Sequence, residues 1–226
     1  MTLPSDPKVR TVLERLHAES AAQDGELGRY FGTRAREGTL DFKRLDDDAN
    51  RFLADKLVAL EPDKAYFCAQ LCTALRARTV VEAGTSYGAS TLHLAAAVRD
   101  VARADGGTAR VIATEWEPAK AAAARANFAA ADLDDVIELR EGDLRSTLAD
   151  LPTPIDFALI DIWTEMSRPA LELIAPHLRP GAIVVADNTQ MREPYADYFA
   201  FVDEPRNRLR TMTLPFEGGL EISVRY

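Results

Sequence analysis

The chain has few of the residues that would direct it to a membrane, a nucleic acid or an oxidising compartment. Two cysteines, Cys68 and Cys72, are too few for a disulfide framework or a four-ligand zinc site. Positive charge is also scarce, because 27 Lys and Arg against 36 Asp and Glu leave a net charge of −9 over 226 residues. Such an acidic chain is a poor partner for nucleic acids and for anionic membranes.

Long apolar runs and a targeting signal are missing as well. No run approaches the roughly 20 apolar residues of a membrane span. Residues 1–6 have neither a basic region nor an apolar core. Hydrophobic residues still make up 47% of the chain, which is enough for a sizeable core. We therefore expect a globular, cytoplasmic protein with no membrane or nucleic-acid partner.

The pattern of the chain changes near residue 79. Residues 25–45 mix glycine, charge and aromatics and are expected to be irregular. Apolar spacing predicts three helices before residue 79, from Lys8 to about Ala22, after the acidic triplet 46–48, and from Pro62 to about Arg76. We expect residues 1–60 to form a helical extension or lid, and residues 61–226 to form a single compact domain.

After residue 79, short β-rich runs alternate with helical stretches. Residues 209–216 and 220–226 flank a Glu-Gly-Gly turn and predict a C-terminal antiparallel hairpin. Five earlier strands are predicted at 79–83, 110–115, 136–139, 155–161 and 182–187, with a turn at 179–181. This order is typical of an α/β fold with a doubly wound, mostly parallel, seven-stranded Rossmann-like sheet.

Acidic residues follow the predicted strands, at the edge where open α/β sheets bind their ligands. One acid alone is explained as a solvated strand end, but five acids at one edge indicate a ligand. They are Glu82, Glu115, Asp143, Asp161 and Asp187. The loop after the first strand consists of Gly84, Thr85, Ser86, Tyr87 and Gly88, and it lacks the glycine spacing of dinucleotide sites.

A nucleoside with positive charge and no phosphate suits this loop better than a dinucleotide, because neighbouring carboxylates repel a pyrophosphate. S-adenosylmethionine offers a sulfonium, an ammonium, a ribose diol and one carboxylate. The helix N-terminus near Gly88 can receive that carboxylate. Glu115 can accept both ribose hydroxyls, and Asp143 can accept the adenine amino group.

Asp161 and the pair Asp187-Asn188 end the fourth and fifth predicted strands, which should lie about 4.8 Å apart. Two carboxylates and an amide oxygen, without sulfur or imidazole, suit a hard ion such as Mg²⁺, Mn²⁺ or Ca²⁺. The same pair also suits a strand end that starts a turn. The spacing alone leaves both interpretations open.

Taken in order, these segments resemble class I S-adenosylmethionine-dependent O-methyltransferases of the metal-dependent catechol and caffeoyl-coenzyme A type. The resemblance spans about residues 60–226 and implies that they form a methyltransferase domain, in a possible homodimer. It implies that Glu82 and the 84–88 loop hold the methionine end of the cofactor. Further cofactor contacts that it implies are Ser90, Glu115, Trp116, Gly142, Asp143, Asp161 and Trp163. The metal ligands that it implies are Asp161, Asp187 and Asn188.

One position departs from this family. Thr164 stands where relatives carry a lysine that serves as base or steadies the acceptor's oxyanion, and threonine cannot accept a proton at neutral pH. A tyrosine common a few residues later is also absent, with Ser167 in that region. Three explanations stay open: the metal alone acidifies the acceptor, the acceptor is not a catechol, or another residue is the base. The candidate bases are Lys64, Glu165 and the neighbourhood of Arg192.

The resemblance thus implies an O-methyltransferase acting on a small-molecule hydroxyl, with a vicinal diol or catechol-like acceptor chelated by a Mg²⁺-type ion. Its catalytic centre would contain Asp161, Thr164 and Lys64. A metal-independent methyltransferase, in which Asp187-Asn188 serves structure, is the alternative among enzymes. A catalytically silent partner protein that binds S-adenosylmethionine is the alternative outside enzymes, and Thr164 motivates it.

Overall fold

A computed structural model describes Pro4 and residues 6–226, so the sequence-based statement about a leader in residues 1–6 falls largely outside it. The helices are α1 (Pro7–Ala21), α2 (Asp24–Glu37), α3 (Asp47–Leu53), α4 (Pro62–Ala74), α5 (Ala89–Asp105), α6 (Pro118–Ala130), α7 (Leu144–Thr147), α8 (Thr164–Ile174) and α9 (Ala196–Asp203). The strands are β1 (Thr79–Ala83), β2 (Arg110–Glu115), β3 (Ile137–Glu141), β4 (Ile155–Ile160), β5 (Leu178–Asp187), β6 (Leu209–Leu214) and β7 (Leu220–Arg225). Short 3₁₀ helices span Ala175–His177 and Pro205–Asn207.

The strands form one seven-stranded sheet in the order β3-β2-β1-β4-β5-β7-β6. Strands β1 to β5 run parallel, whereas β7 pairs antiparallel with both β5 and β6. The predicted fold class, a doubly wound sheet with a C-terminal antiparallel hairpin, is confirmed. The direction of winding reverses between β1 and β4, and such a switch point is where open α/β sheets bind ligands.

Helices cover both faces of the sheet, so the hydrophobic core has two parts, one on each face. Neighbouring residues of β1 point to opposite faces, because Val80 belongs to one buried cluster and Val81 to the other. Leu13 and Leu16 of α1 are buried in the cluster that contains Val80. The first helix of the chain is therefore part of the packing of the sheet.

The prediction of irregular structure at 25–45 is wrong over its first half, where α2 runs from Asp24 to Glu37. None of its side chains is buried, and its few apolar residues form only a short stripe among charges and glycines. Its charges explain its stability instead. Asp24 and Glu26 lie in the first turn and Arg34 and Arg36 in the last, which complements the helix dipole. Gly38 then ends the helix with φ +68°.

The predicted turn at 179–181 is also wrong, because β5 already begins at Leu178. Arg179 donates from Nε to Asp156 Oδ1 at 2.6 Å, which fixes this segment beside β4. The ladder between β4 and β5 is irregular from Ile155 to Phe157, and this shift absorbs the local bend of the strand. No helix in Pro4 and residues 6–226 has the length and apolar character needed to cross a membrane.

Candidate functional site

The carboxyl ends of β1, β2, β4 and β5 bring the predicted site residues to one edge of the sheet. Ala83 at the end of β1 is in register with Thr114 of β2 and with Ile160 of β4. Ile160 is in turn in register with Ala186 of β5. Glu82, Glu115, Asp161 and Asp187 lie within one residue of these positions, so the fold gathers four carboxylates at the switch point.

The loop from Gly84 to Gly88 is held in a conformation that only small residues allow. Gly84 has φ +97°, and a Cβ there would lie 1.9 Å from the carbonyl oxygen of Asp161. Gly88 caps α5 with φ +88°, and its Cβ would meet Phe128 Cε1 at 2.4 Å. The loop backbone therefore packs against the β4 end and against α6, with its N–H groups at the start of a long helix.

Glu82 is fully buried beneath this loop. Its Oε2 accepts hydrogen bonds from Thr85 Oγ1 at 3.3 Å and from Thr91 Oγ1. Its Oε1 has no partner among the described residues. Burial raises the pKa of Glu82 to about 7, although hydrogen bonds from Ser90, Thr91 and Thr85 oppose the rise. A buried carboxylate oxygen without a donor is costly, so this atom suits a ligand that brings a positively charged N–H group.

Glu115, at the end of β2, is oriented by two backbone donors. Ser86 N–H donates to its Oε2 at 2.7 Å, and Glu117 N–H donates to its Oε1 at 2.8 Å. Burial raises the pKa of Glu115, and these backbone hydrogen bonds partly offset the rise. Each oxygen keeps lone pairs for further donors, so the carboxylate can accept two neighbouring hydroxyls of a ligand.

The two tryptophans of the site present aromatic surface to solvent beside these acids. Trp116 follows Glu115 and is 65% exposed, while Trp163 follows the β4 end and is 42% exposed. Large exposed aromatic side chains at a strand-end cleft are suited to stack on a planar ligand.

Asp143 has partners of its own. It caps α7 and accepts from Arg145, whose Nε lies 2.9 Å from Oδ1, and this hydrogen bonding lowers the pKa of Asp143. Gly142 precedes it with φ +128°. The predicted contact of Asp143 with an adenine amino group therefore stays a prediction.

The predicted metal ligands lie together, but both carboxylate oxygens of Asp187 already accept from donors. Asp187 Oδ1 accepts from Lys64 Nζ at 2.7 Å, and Asp187 Oδ2 accepts from Asn188 Nδ2 at 2.9 Å. Glu61 Oε2 lies 2.8 Å from the same ammonium. Across Pro4 and residues 6–226, His, Cys, Asp and Glu form no group of three or more that could hold a metal ion. As arranged, this donor set does not fit a divalent ion, because an ammonium faces the carboxylate that would bind it.

The two acidic partners of Lys64 also bear on the prediction that this residue is a base. Burial alone would lower the pKa of Lys64, but hydrogen bonds and charge attraction from Asp187 and Glu61 raise it above its ordinary value. A lysine that keeps its proton is a hydrogen-bond donor and a charge, not a proton acceptor. Asp161 lies close by, and its pKa is raised by burial and then by the charges of Asp187, Glu82 and Glu61.

Thr164 begins α8 and faces Tyr195, a contact that sequence reasoning did not predict. Burial raises the pKa of Tyr195, and hydrogen bonds with the hydroxyls of Thr164 and Ser167 partly oppose the rise. Tyr195 therefore occupies space next to the residue that replaces the family's lysine. Glu61 and Thr91 were also missed. The spacing of Glu61 and Lys64 predicts a pair on one helix face but says nothing of Asp187.

The chain has a Rossmann-like fold with acid-lined strand ends, and the known proteins to which it is similar are methyltransferases. Residues 81–189 match the sequence profile of a protein family described as "Methyltransferase domain". This stretch runs from the middle of β1 to just past β5 and contains Glu82, Glu115, Asp161 and Asp187. This part of the chain is therefore similar in sequence to a methyltransferase domain.

Two curated relatives matched by the chain are both named "Catechol O-methyltransferase". The protein from Mycobacterium tuberculosis is 33% identical over 132 residues, which cover 58% of this chain and 57% of the relative. The protein from Niastella koreensis is 30% identical over 139 residues, which cover 58% of each. The chain thus spans a little over half the length of these relatives.

Solved structures share the architecture. An O-methyltransferase from Bacillus cereus in complex with SAH has a TM-score of 0.69 at 21% identity, covering 100% of this chain and 94% of that one. The O-methyltransferase TomG from Streptomyces achromogenes, involved in tomaymycin synthesis and solved with SAM, has a TM-score of 0.66 at 20% identity, covering 87% and 97%. At these identities the likeness establishes the fold.

Proposed function

We propose that the protein is an S-adenosylmethionine-dependent O-methyltransferase that acts on a hydroxyl of a small molecule. The observation that carries this proposal is the pair of oriented carboxylates, Glu82 and Glu115, on either side of the loop from Gly84 to Gly88. The printed names of the curated relatives and of the B. cereus and S. achromogenes structures support the same chemistry.

The residues present fit this cofactor group by group. Glu82 Oε1, which has no partner within the described chain, would accept the cofactor's ammonium. The N–H groups at the start of α5, opened by Gly88, would receive its carboxylate. Glu115 would accept the ribose hydroxyls, and Trp116 would stack on the adenine. Further proposed contacts, carried over from the sequence, are Thr85, Ser86, Tyr87, Ser90, Gly142, Asp143 and Asp161.

When bound, the cofactor would supply an electrophilic methyl group to the acceptor oxygen, whose proton is released to bulk solvent, and would leave as S-adenosylhomocysteine. The residues of the chain act by alignment and by excluding water from a reaction that cancels charge. Glu82 and Glu115 fix the cofactor, and Trp163 at the β4 end would fix the acceptor.

The acceptor site is proposed beside Asp161 and Trp163. A catechol-like compound fits there, because the exposed Trp163 ring can stack on a flat aromatic acceptor and both curated relatives are named for catechol. We derive no step through a metal ion, since the ammonium of Lys64 faces the predicted ligand Asp187. Residues 1–60 stay a proposed helical extension or lid. Because α1 packs in the core, the lid would be the part that follows it, which the hydrogen bond from Tyr87 O–H to Asp55 O at 3.1 Å supports.

The experiment is calorimetric titration of S-adenosylhomocysteine, together with transfer of labelled methyl from S-adenosylmethionine to a panel of phenols and catechols. Glu115→Gln should weaken binding at least tenfold, because a hydrogen bond to a charged group is worth about 1.5–3 kcal/mol and about 1.4 kcal/mol corresponds to tenfold. Glu172→Gln, on the exposed part of α8, is the matched control and should bind as the wild type does.

The outcomes separate the candidate functions. Binding together with methylation of an acceptor supports the proposal. Binding without methylation of any hydroxyl compound would favour the silent partner protein that Thr164 motivates. Failure to bind S-adenosylhomocysteine, or equal binding by Glu115→Gln, would refute the site.

A further inference from the structure

Lys64 is the most deeply buried cation at the strand ends. Its side chain is 1% exposed although it begins on the first turn of α4. Lysine is almost never buried completely unless it is paired. Here the ammonium is paired twice, with Asp187 Oδ1 at 2.7 Å and with Glu61 Oε2 at 2.8 Å. Asp187 is itself only 4% exposed, so this is a buried ion pair that joins α4 to the end of β5.

The turn between β6 and β7 closes over this pair. A Cβ on Gly218 would lie 2.7 Å from Asn188 Oδ1 and 3.7 Å from Lys64 Nζ. Gln190 N–H also donates to the carbonyl oxygen of Gly218 at 2.9 Å, which ties the turn to the segment after β5. Lys64 is therefore enclosed between α4, β5 and the C-terminal hairpin, whereas the neighbouring Asn188 is exposed.

We propose that the ammonium of Lys64 is a built-in cation that takes the place of a divalent ion at Asp187 and Asn188, so that methyl transfer requires no metal. The statement that methyl transfer requires no metal rests on the proposed function. The placement of the Lys64 ammonium at Asp187 does not. Lys64 is thereby a positioning residue that acts through Asp187.

The donor arrangement supports this assignment. A divalent ion needs oxygen atoms with lone pairs directed at it. The two oxygens of Asp187 instead face N–H donors, one from Lys64 and one from the amide of Asn188. The reverse orientation of the Asn188 amide would face two oxygens against each other, so its N–H group belongs on the Asp187 side. A metal ion at this point would also meet the positive charge of the buried Lys64 ammonium.

The class of acceptor follows from the same arrangement. A chelated metal requires two adjacent oxygens on the acceptor, whereas a site without a metal requires only the hydroxyl that is methylated. We therefore expect a monohydroxy phenol to be methylated within tenfold of the rate of a catechol of the same ring size.

Mn²⁺ is the probe, followed by electron paramagnetic resonance and calorimetry on the full chain. The wild type should show no saturable binding in the millimolar range. Lys64→Met removes the charge and keeps an unbranched side chain. It should gain a saturable Mn²⁺ site with a dissociation constant at least tenfold below the millimolar range. Adding Asp187→Asn to Lys64→Met should abolish this gain, and Lys64→Arg, which keeps the charge, should not produce it.

Two results would overturn the inference. One is saturable Mn²⁺ binding by the wild type that Asp187→Asn removes. The other is a Lys64→Met protein that keeps the wild-type unfolding midpoint and S-adenosylhomocysteine affinity yet gains no Mn²⁺ site. If Lys64→Met does not fold, the titrations of the wild type and of Asp187→Asn still decide.

The activity measurement tests whether methyl transfer proceeds without a metal ion. Wild-type protein treated with a chelator should retain its turnover within twofold, and stimulation of more than tenfold by added Mg²⁺ would overturn metal independence. Absence of methylation of any acceptor would count against the proposed function instead, and the Mn²⁺ titrations would still report on Lys64.

Discussion

The Glu82 carboxylate, whose Oε1 has no hydrogen-bond partner among the described residues, predicts a pH dependence of both stability and cofactor affinity. Burial raises the pKa of Glu82 from 4.5 to about 7. Between these two values the folded protein holds a proton that the unfolded chain has released. The free energy of unfolding therefore falls as the pH rises through this window, and the loss is complete above about pH 7.

The magnitude follows from the two pKa values. At about 1.4 kcal/mol per pH unit, the rise to about 7 costs about 3 kcal/mol of folding free energy once the pH exceeds 7. The assay is urea unfolding of the wild type and of Glu82→Gln at intervals from pH 4.5 to 8. Because Gln does not titrate, the difference between the two proteins isolates the contribution of Glu82. The wild type should lose about 3 kcal/mol relative to Glu82→Gln across this range.

Cofactor affinity should depend on pH in the opposite direction from stability, because it should rise as the pH rises. The ammonium of S-adenosylhomocysteine favours the ionised form of Glu82, so binding below pH 7 must expel the proton. The affinity of the wild type should weaken by up to about tenfold per pH unit below the pKa, whereas Glu82→Gln should bind weakly at every pH. Parallel stability curves for the two proteins, or an affinity that does not change between pH 5.5 and 7.5, would refute the argument from the unpaired oxygen.

Two further predictions concern the neighbouring loops. Gly84→Ala should destabilise the fold by more than the roughly 1–2 kcal/mol of its positive φ, because its Cβ would overlap Asp161 O. Gly142→Ala should show the backbone cost alone in urea unfolding, since its Cβ meets Thr147 Cγ2 at 3.7 Å; equal losses would contradict this account. Thr164→Lys should raise turnover of a simple catechol at least tenfold over Thr164→Met, because a general base contributes about 10²–10⁴ in rate. No gain would show that the acceptor is not a catechol or that another group already takes the proton.

The fold could be predicted where side chains repeat with the period of their element. Helix α1 was predicted because its buried residues, among them Leu13 and Leu16, recur at helical spacing. Strand β4 was predicted because five of its six residues are apolar. Helix α2 was missed because its apolar residues are few and lie among charges and glycines, so the apolar spacing that indicates a helix is weak there.

The candidate site could be predicted in outline for a different reason. In a parallel sheet the carboxyl ends of all strands meet at one edge, so knowing where β1, β2, β4 and β5 end suffices to place Glu82, Glu115, Asp161 and Asp187 together. Which atoms are already satisfied cannot be obtained in this way. The two backbone donors on Glu115 and the bare oxygen of Glu82 depend on loop conformations that the spacing of acids does not encode.

The pairing of Lys64 with Asp187 shows most directly what a linear pattern omits. The two residues are 123 positions apart, on a helix before the sheet and on its fifth strand. Read alone, Asp187-Asn188 after a strand has the donor chemistry of a metal site, and that prediction is sound as far as the residue types go. The prediction of a metal site changes when α4 is packed against the sheet, because Lys64 then supplies the positive charge beside the Asp187 oxygens. A single substitution at Lys64 should therefore restore the metal chemistry that the sequence of the strand end predicts.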